Sequence, residues 1–515
     1  MKDAHALIER LWKKIFDRRP VFGDIIRKHG GRNLFSYAEG FLDVRPSPVL
    51  DARKGELIET VRDLIAPRLG TAVAGEVAAQ LTRLPLVSTA DHHAPINHPF
   101  WINANIVSGI PLAVRPDRAP HYLVVLSFSS ISVNNASGWP RGIEFHDGSR
   151  GALCRIPLLP AKHAMAVVYG MRGYAAHDIE KSLQELAQRE DGTHHIGARI
   201  AASLKTYFGD AAVKEDPRLV SQLTKINFHL WPRFFHASSS ALPPTDVRAH
   251  APSLVYLEIE SLTAELLTRH HLQNPRSPLY RLLFDGVFRH AALRHFDNIA
   301  GAFSREKKTG THLFWGINPH LHRTHLDLAA DAFIVRETGA RIPLTPDRIA
   351  AALREKTIFP SMLLCYLTIA LYYGMKCLGG FCQVHDLTMI KEAWMRLLRA
   401  CELPDEADAV APVQTKELGG DGTVLSYRTD AEGNLAPATG MDMLLSSADT
   451  QFDRYVAQAK RVTLAEAMAP MLPEMYTVLY TKDEREETLS SLTTESIVEA
   501  TGLKEKMTPS SLPHE

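Results

Sequence analysis

Cysteine is scarce in this chain. The 515 residues include five: Cys154, Cys365, Cys377, Cys382 and Cys401, an odd set in which no spacing repeats. A disulfide framework or a four-thiolate zinc cage needs paired spacings, so neither is expected. Reduced thiols in a cytoplasmic protein are the simplest reading. Net charge is equally lacking, with 58 basic residues against 58 acidic ones. Coating nucleic acid or steering to a membrane surface requires a basic field, so neither partner is expected. No apolar run is long enough to span a bilayer. The longest, 362–375, is interrupted by Thr368 and reads as a buried helix. The first residues form a charged amphipathic pattern and not the apolar core of a signal peptide. Also missing are the Gly-x-Ser-x-Gly elbow and the His-Glu-x-x-His helix. Gly419-Gly420-Asp421-Gly422 lacks the Lys-Ser/Thr of a phosphate loop and reads as a turn.

What the chain has is imidazole: 24 histidines exceed the 20 phenylalanines. It also has alternating blocks of helical and strand-like periodicity. Leu7, Leu11 and Ile15 share one face of a first helix, and further helices are expected near 56–68 and 72–83. Strands are expected at 84–89, 121–128, 142–146 and 152–158, the last two around Asp147-Gly148 as a tight turn. Helical periodicity returns over 176–305, including a long helix from Ser253 to His271. Short strands follow near 311–316 and 331–336, then helices at 345–356, 361–374 and 386–400. Residues 403–412 read as a linker. The expectation is an α+β (mixed α/β) fold, with a central mixed β-sheet surrounded by helices and helical N- and C-terminal segments. Five regions are expected: a helical segment (1–83), a β-rich core (84–175), a helical region (176–310), an α/β region (311–402), and a linker with a C-terminal α/β segment (403–515).

The densest chemistry lies in 89–99, Thr-Ala-Asp-His-His-Ala-Pro-Ile-Asn-His-Pro. It places Asp91, His92, His93 and His98 in a proline-restricted loop after a strand, where folds commonly carry function. Asp91 suits a base or the orienter of an imidazole. The second constellation is on the next hairpin, where strand alternation puts Glu144 and His146 on one face, an arrangement suited to acid–base work. Asn135 and Arg141 precede them, and a guanidinium there suits an anionic group. In 376–386, paired glycines separate Lys376 from Gln383, which are expected to contact a polar substrate. The run 320–327, with His320, His322 and His325, reads as a surface turn.

Asp91-His92-His93, after the strand-like 86–89, resembles one signature of the DHH phosphoesterase superfamily. There, Asp-His-His at a strand end contributes to a dimetal site. The resemblance implies phosphoester hydrolysis. It covers only these few residues, and the Asp-x-Asp strand motif of that family is missing from the first 80 residues, where Asp43 and Asp51 stand alone.

The functional expectation is therefore an enzyme acting by acid–base chemistry on a small polar, anionic substrate, as a hydrolase or lyase. Asp91, His92, His93, Glu144 and His146 are the expected catalytic residues. Asn135, Arg141, Lys376 and Gln383 are expected to bind substrate. A divalent metal (Zn, Mn or Fe) is expected on His93, His98 and His146, with a homo-oligomer possible. The alternatives are a metal-free cyclase or elimination enzyme, a DHH-like phosphoesterase, and a non-enzymatic interaction protein.

Overall fold

A computed structural model describes residues 2–114, 122–135, 139–147, 152–189, 194–235, 251–429, 433–446 and 452–511. The fold is mixed α+β. Four parallel strands organise it: β1 (Leu86–Ser88), β2 (Tyr122–Ser127), β3 (Ser253–Glu258) and β4 (Lys376–Leu378), in the spatial order β4-β1-β2-β3. A separate five-stranded antiparallel sheet comes from Phe314–Ile317, Arg323–Leu328, Ala332–Val335, Arg341–Pro343 and Ile358–Pro360. Among the described residues, no helix is long and apolar enough to cross a membrane.

The parallel sheet is buried on both faces. Leu86, Leu123, Val125, Leu254, Tyr256 and Leu378 pack into one apolar cluster that extends from Ile8 to Met507. Their neighbours Val87, Val124, Leu126, Val255, Leu257 and Cys377 pack into a second, running from Leu57 to Val410. Side-chain alternation sends successive residues to opposite cores, and a strand with two apolar faces loses the hydrophobic–polar rhythm. This corrects the expected helix from Ser253. Ser253–Glu258 is a strand paired with β2 along its whole length, and the helix starts only at Ile259. Lys376–Leu378, read from sequence only for its polar side chains, is an edge strand on β1, three residues long and too short to show a periodicity. The expected surface turn at 320–327 contains the strand Arg323–Leu328, and the expected linker contains the helix Pro404–Val410.

The strands at Leu86–Ser88, Tyr122–Ser127, Gly142–His146 and Leu153–Pro157 lie where alternation and branched residues put them. The turn at Asp147-Gly148 falls partly outside the described residues. The helix Pro99–Ala113 connects β1 to β2 and is buried on every side from Phe100 to Leu112. Pro99 begins it with a preset φ, and His98 caps it by accepting the Phe100 N–H. An all-round apolar helix belongs inside a core. It therefore holds its few polar side chains, Asn103, Asn105 and Ser108, as buried groups.

The order of connections matters for the site. The chain steps from β1 to β2 to β3 in one direction, then returns across the sheet to place β4 on the far side of β1. In open parallel sheets the crevice beyond the carboxyl ends of strands at such a reversal is where ligands bind.

Candidate active site at the reversal of the parallel sheet

β1 and β4 part company at their carboxyl ends. Thr89 N–H still donates to Leu378 O at 2.8 Å. Beyond that point β1 stays with β2, since Phe128 N–H donates to Asp91 O and His93 N–H to Phe128 O. The β4 side turns away: Gly379 N–H donates to Glu417 O and accepts Gly419 N–H on its own carbonyl, each at 2.9 Å. The crevice between these diverging paths has Asp91 and His92 on one wall and Gly379-Gly380 with Asp421 on the other. A Cβ at Gly380 would collide with Asp421 Oδ2, so only glycine lets that carboxyl lie against the turn.

Asp91 is fully buried. Its Oδ2 accepts from the Tyr256 hydroxyl and from Asn105 Nδ2, the latter at 2.6 Å. Its Oδ1 has no hydrogen-bond partner among the described residues, and neither has Asn105 Oδ1 or His92 Nδ1. Buried polar atoms are seldom left this way, and these three lie on the loop after β1 and on the helix that follows it. Burial pushes the Asp91 carboxyl up to about 7, against the pull of its two hydrogen bonds and with help from the charge of Asp421. Burial also pushes Asp421 up to about 7, opposed by the Phe381 N–H. Glu474 rises to about 7 through burial and the nearby charges of Asp421 and Glu144. Asp386 rises to about 6 through burial, with Arg19 acting against it.

The imidazoles move the other way. Burial takes His92 down to about 4. It takes His98 to about 3, with the charges of His92 and Arg155 adding to the drop. Both rings are therefore neutral at pH 7, and the indole of Trp101 lies 5.3 Å from His92 and 5.5 Å from His98 between centroids. His98 accepts at Nδ1 as the helix cap, so its proton sits on Nε2. Asp421, Glu474, His92 and His98 are half-buried, whereas Asp91 is fully buried.

The residues expected from sequence distribute unevenly. The histidine loop and the Glu144 hairpin do meet: Asn97 Nδ2 donates to Glu144 O at 2.9 Å. Arg155 bridges the two electrostatically, bonding Glu144 at 2.8 Å while lying near His98. His146 Nδ1 bonds Asp442 Oδ2 at 2.6 Å, and its backbone N–H donates to Asp442 Oδ1. Burial works against the Asp442 carboxylate, but His146 and these donors hold it below the usual range.

His93 is placed elsewhere. Its Nε2 donates to Val220 O and its Nδ1 accepts from Ser127 Oγ, both at 2.8 Å, leaving no ring nitrogen for a metal or a substrate proton. Burial lowers its pKa and keeps it neutral. His93→Ala is accordingly expected to cost about 2–4 kcal/mol in urea unfolding by stranding two buried partners and a cavity.

Lys376 lies at the amino end of β4, away from the crevice. Its ammonium is held by Gly40 O at 3.1 Å, Asp43 O at 2.7 Å and Glu417 at 3.3 Å. Gln383 is nearer, but its amide is committed to Thr89 Oγ1. Arg141 donates to Leu159 O at 3.2 Å and has φ of 63°. Asn135 sits in a two-residue strand opposite Trp139. Neither faces the crevice in any contact described.

Sequence reasoning missed Asp421, Glu474, Asp386, Asn105 and Tyr256. Only Asp421 carried a signal, as a charged residue inside a glycine turn. Among the described residues no group of three or more His, Cys, Asp or Glu side chains is placed to hold a metal ion, and both ring nitrogens of His93 are taken by Ser127 and Val220. No protein-family model and no curated protein matches this chain.

Proposed function

We propose that the crevice at the carboxyl ends of β1 and β4 is the active site of an acid–base enzyme of the hydrolase or lyase class. The supporting observation is the cluster of carboxyl groups there that titrate near neutral pH, beside unpaired Asp91 Oδ1 and His92 Nδ1. An efficient general acid or base has a pKa close to the working pH, and paired carboxyls in unlike surroundings divide the acid and base roles. Asp421, half-buried and accepting from the Phe381 backbone N–H, is the proton-transfer group. Asp91, locked by Tyr256 and Asn105, is the second carboxyl, and the charge of Asp421 helps to keep it protonated. His92, held neutral, offers Nδ1 or its proton to the substrate.

The lining favours a small polar substrate that is neutral or cationic over the anion expected from sequence, because several carboxyls face it and its nearby guanidinium, Arg155, is paired to Glu144. The test is a panel of small esters, amides, glycosides and amino or hydroxy compounds, assayed with wild type, Asp91→Asn and His92→Ala. Loss of roughly 10²–10⁴-fold in kcat/KM for both variants is expected, with the folded state intact by circular dichroism. Turnover unaffected by either substitution would place the chemistry elsewhere.

A further inference from the structure

A second cavity lies outside the carboxyl crevice. It has a volume of about 880 Å³, within the range of small-molecule sites, and opens between 170–175, 214–218, 317–321 and 355–357. Its cationic side chains are Arg172, Lys214, Arg218 and Lys356. Three acids also line it: Glu215, Glu355 and Asp216. Of these, Asp216 is already neutralised by Lys225 at 3.0 Å, and the other two are exposed.

The two arginines carry the argument. Arg172 and Arg218 are opposed in an antiparallel bridge. The flanking bonds, Gly173 N–H to Pro217 O at 3.0 Å and Leu219 N–H to Met171 O at 3.4 Å, make them a non-hydrogen-bonded pair. That is the register in which opposed side chains leave the backbone on the same face and stand closest. Like charges placed so are destabilising. Neither guanidinium forms a hydrogen bond or ion pair with a described residue.

Lys356 completes the cluster from the opposite wall. Its backbone has φ of 57°, an uncommon conformation for a non-glycine residue. Its ammonium is fixed 3.6 Å from the centroid of the Tyr169 ring and 3.2 Å from Ser261 Oγ. Burial, with the positive charges of Arg218 and Arg68, lowers its pKa to about 8 against the opposing pull of Glu258 and Glu260. An anion in the cavity would relieve both repulsions together.

We infer that this cavity binds a phosphorylated small molecule, with Arg172 and Arg218 as a two-guanidinium fork and Lys356 as a fixed point charge. A phosphomonoester, with close to two negative charges and three acceptor oxygens, matches three cations better than a single carboxylate does. Guanidiniums supply the planar pairs of donors that such an oxygen array takes.

Inorganic pyrophosphate is the probe, titrated calorimetrically into the full-length protein, with citrate in parallel. Saturable pyrophosphate binding is expected. It should weaken at least tenfold in Arg172→Gln/Arg218→Gln and separately in Lys356→Met. The arginines are exposed, so the double variant should fold normally. No heat at 10 mM pyrophosphate would overturn the proposal, as would affinity unchanged in the double variant. Citrate binding more tightly than pyrophosphate through the same residues would overturn the assignment to phosphate.

Discussion

Asp421→Asn should lose activity and gain stability, with the gain confined to neutral and alkaline pH. The folded carboxyl titrates near 7, against an ordinary value of 3.8. The folded protein therefore holds this proton more tightly than the unfolded chain. As pH rises from about 4 to about 7 the unfolded state sheds the proton first, so stability falls across that window and levels off above it. Asparagine has no charge to bury. The variant should match wild type at pH 4 and exceed it by about 1–3 kcal/mol at pH 8. Thermal unfolding at both pH values is the measurement. Turnover on any substrate found should drop by roughly 10²–10⁴-fold. A residue that destabilises the fold while enabling reaction shows the stability–activity trade-off of active sites. If the variant were less stable at pH 8, Asp421 would instead be a structural carboxylate.

The second large effect is expected at the other edge of the sheet. Glu258, at the end of β3, takes both terminal nitrogens of Arg68, one of them at 3.1 Å, and also accepts from Ser261 Oγ. The Glu258 side chain is 1% exposed and that of Arg68 11%. Burial alone would raise the Glu258 pKa, but the Arg68 guanidinium overrides it and holds the carboxyl well below its usual range. Glu258→Gln leaves a guanidinium in the core without its counter-charge, and about 3–5 kcal/mol of stability should be lost. The sign with pH is the reverse of that at Asp421. A depressed carboxyl stabilises above its unfolded pKa, so the wild-type advantage is complete at neutral pH and fades as pH falls through the acid range. Urea unfolding at about pH 7 and about pH 3 measures this. Replacing both partners, as Arg68→Met with Glu258→Leu, should recover most of the loss because no charge is then left buried alone. A double variant as unstable as Glu258→Gln would refute this account.

How much of this was legible in the sequence depended on whether the relevant pattern was local. β2 was legible because 122–127 carries branched and aromatic residues in one run. The Gly142–His146 hairpin strand was legible because its polar and apolar residues alternate. β3 was not, since Leu254 to Leu257 face two cores and show no alternation to distinguish strand from helix. β4, three residues long at the sheet edge, is too short for any periodicity.

The site divided the same way. Asp91 and His92 stood out because several ionisable groups share one loop. His93 stood out equally, but its ring is spent on Ser127 and Val220, contacts that arise only once the helix Leu219–Leu230 packs against β3. Asp421 and Glu474 enter the crevice from 330 residues or more further along the chain, and no local signal predicts such convergence. Asn105 read as one polar residue in an apolar helix, and only its three-dimensional neighbours give it a role.

The reversal of strand order has a consequence for biosynthesis. One wall of the crevice is translated early, with Asp91, and the other late, with Asp421 and Glu474. At cellular elongation rates the interval between Asp91 and Asp421 is on the order of 15–70 s. Throughout it, β1 and β2 have neighbours to pair with, while the carboxyl pair does not yet exist. On the proposed function, the nascent polypeptide would lack its acid pair until Asp421 has left the ribosome. A ribosome stalled before the glycine turn at 419–422 would release a chain with all four parallel strands and no acid pair, a product distinguishable from the finished protein by reactivity and not by its central sheet.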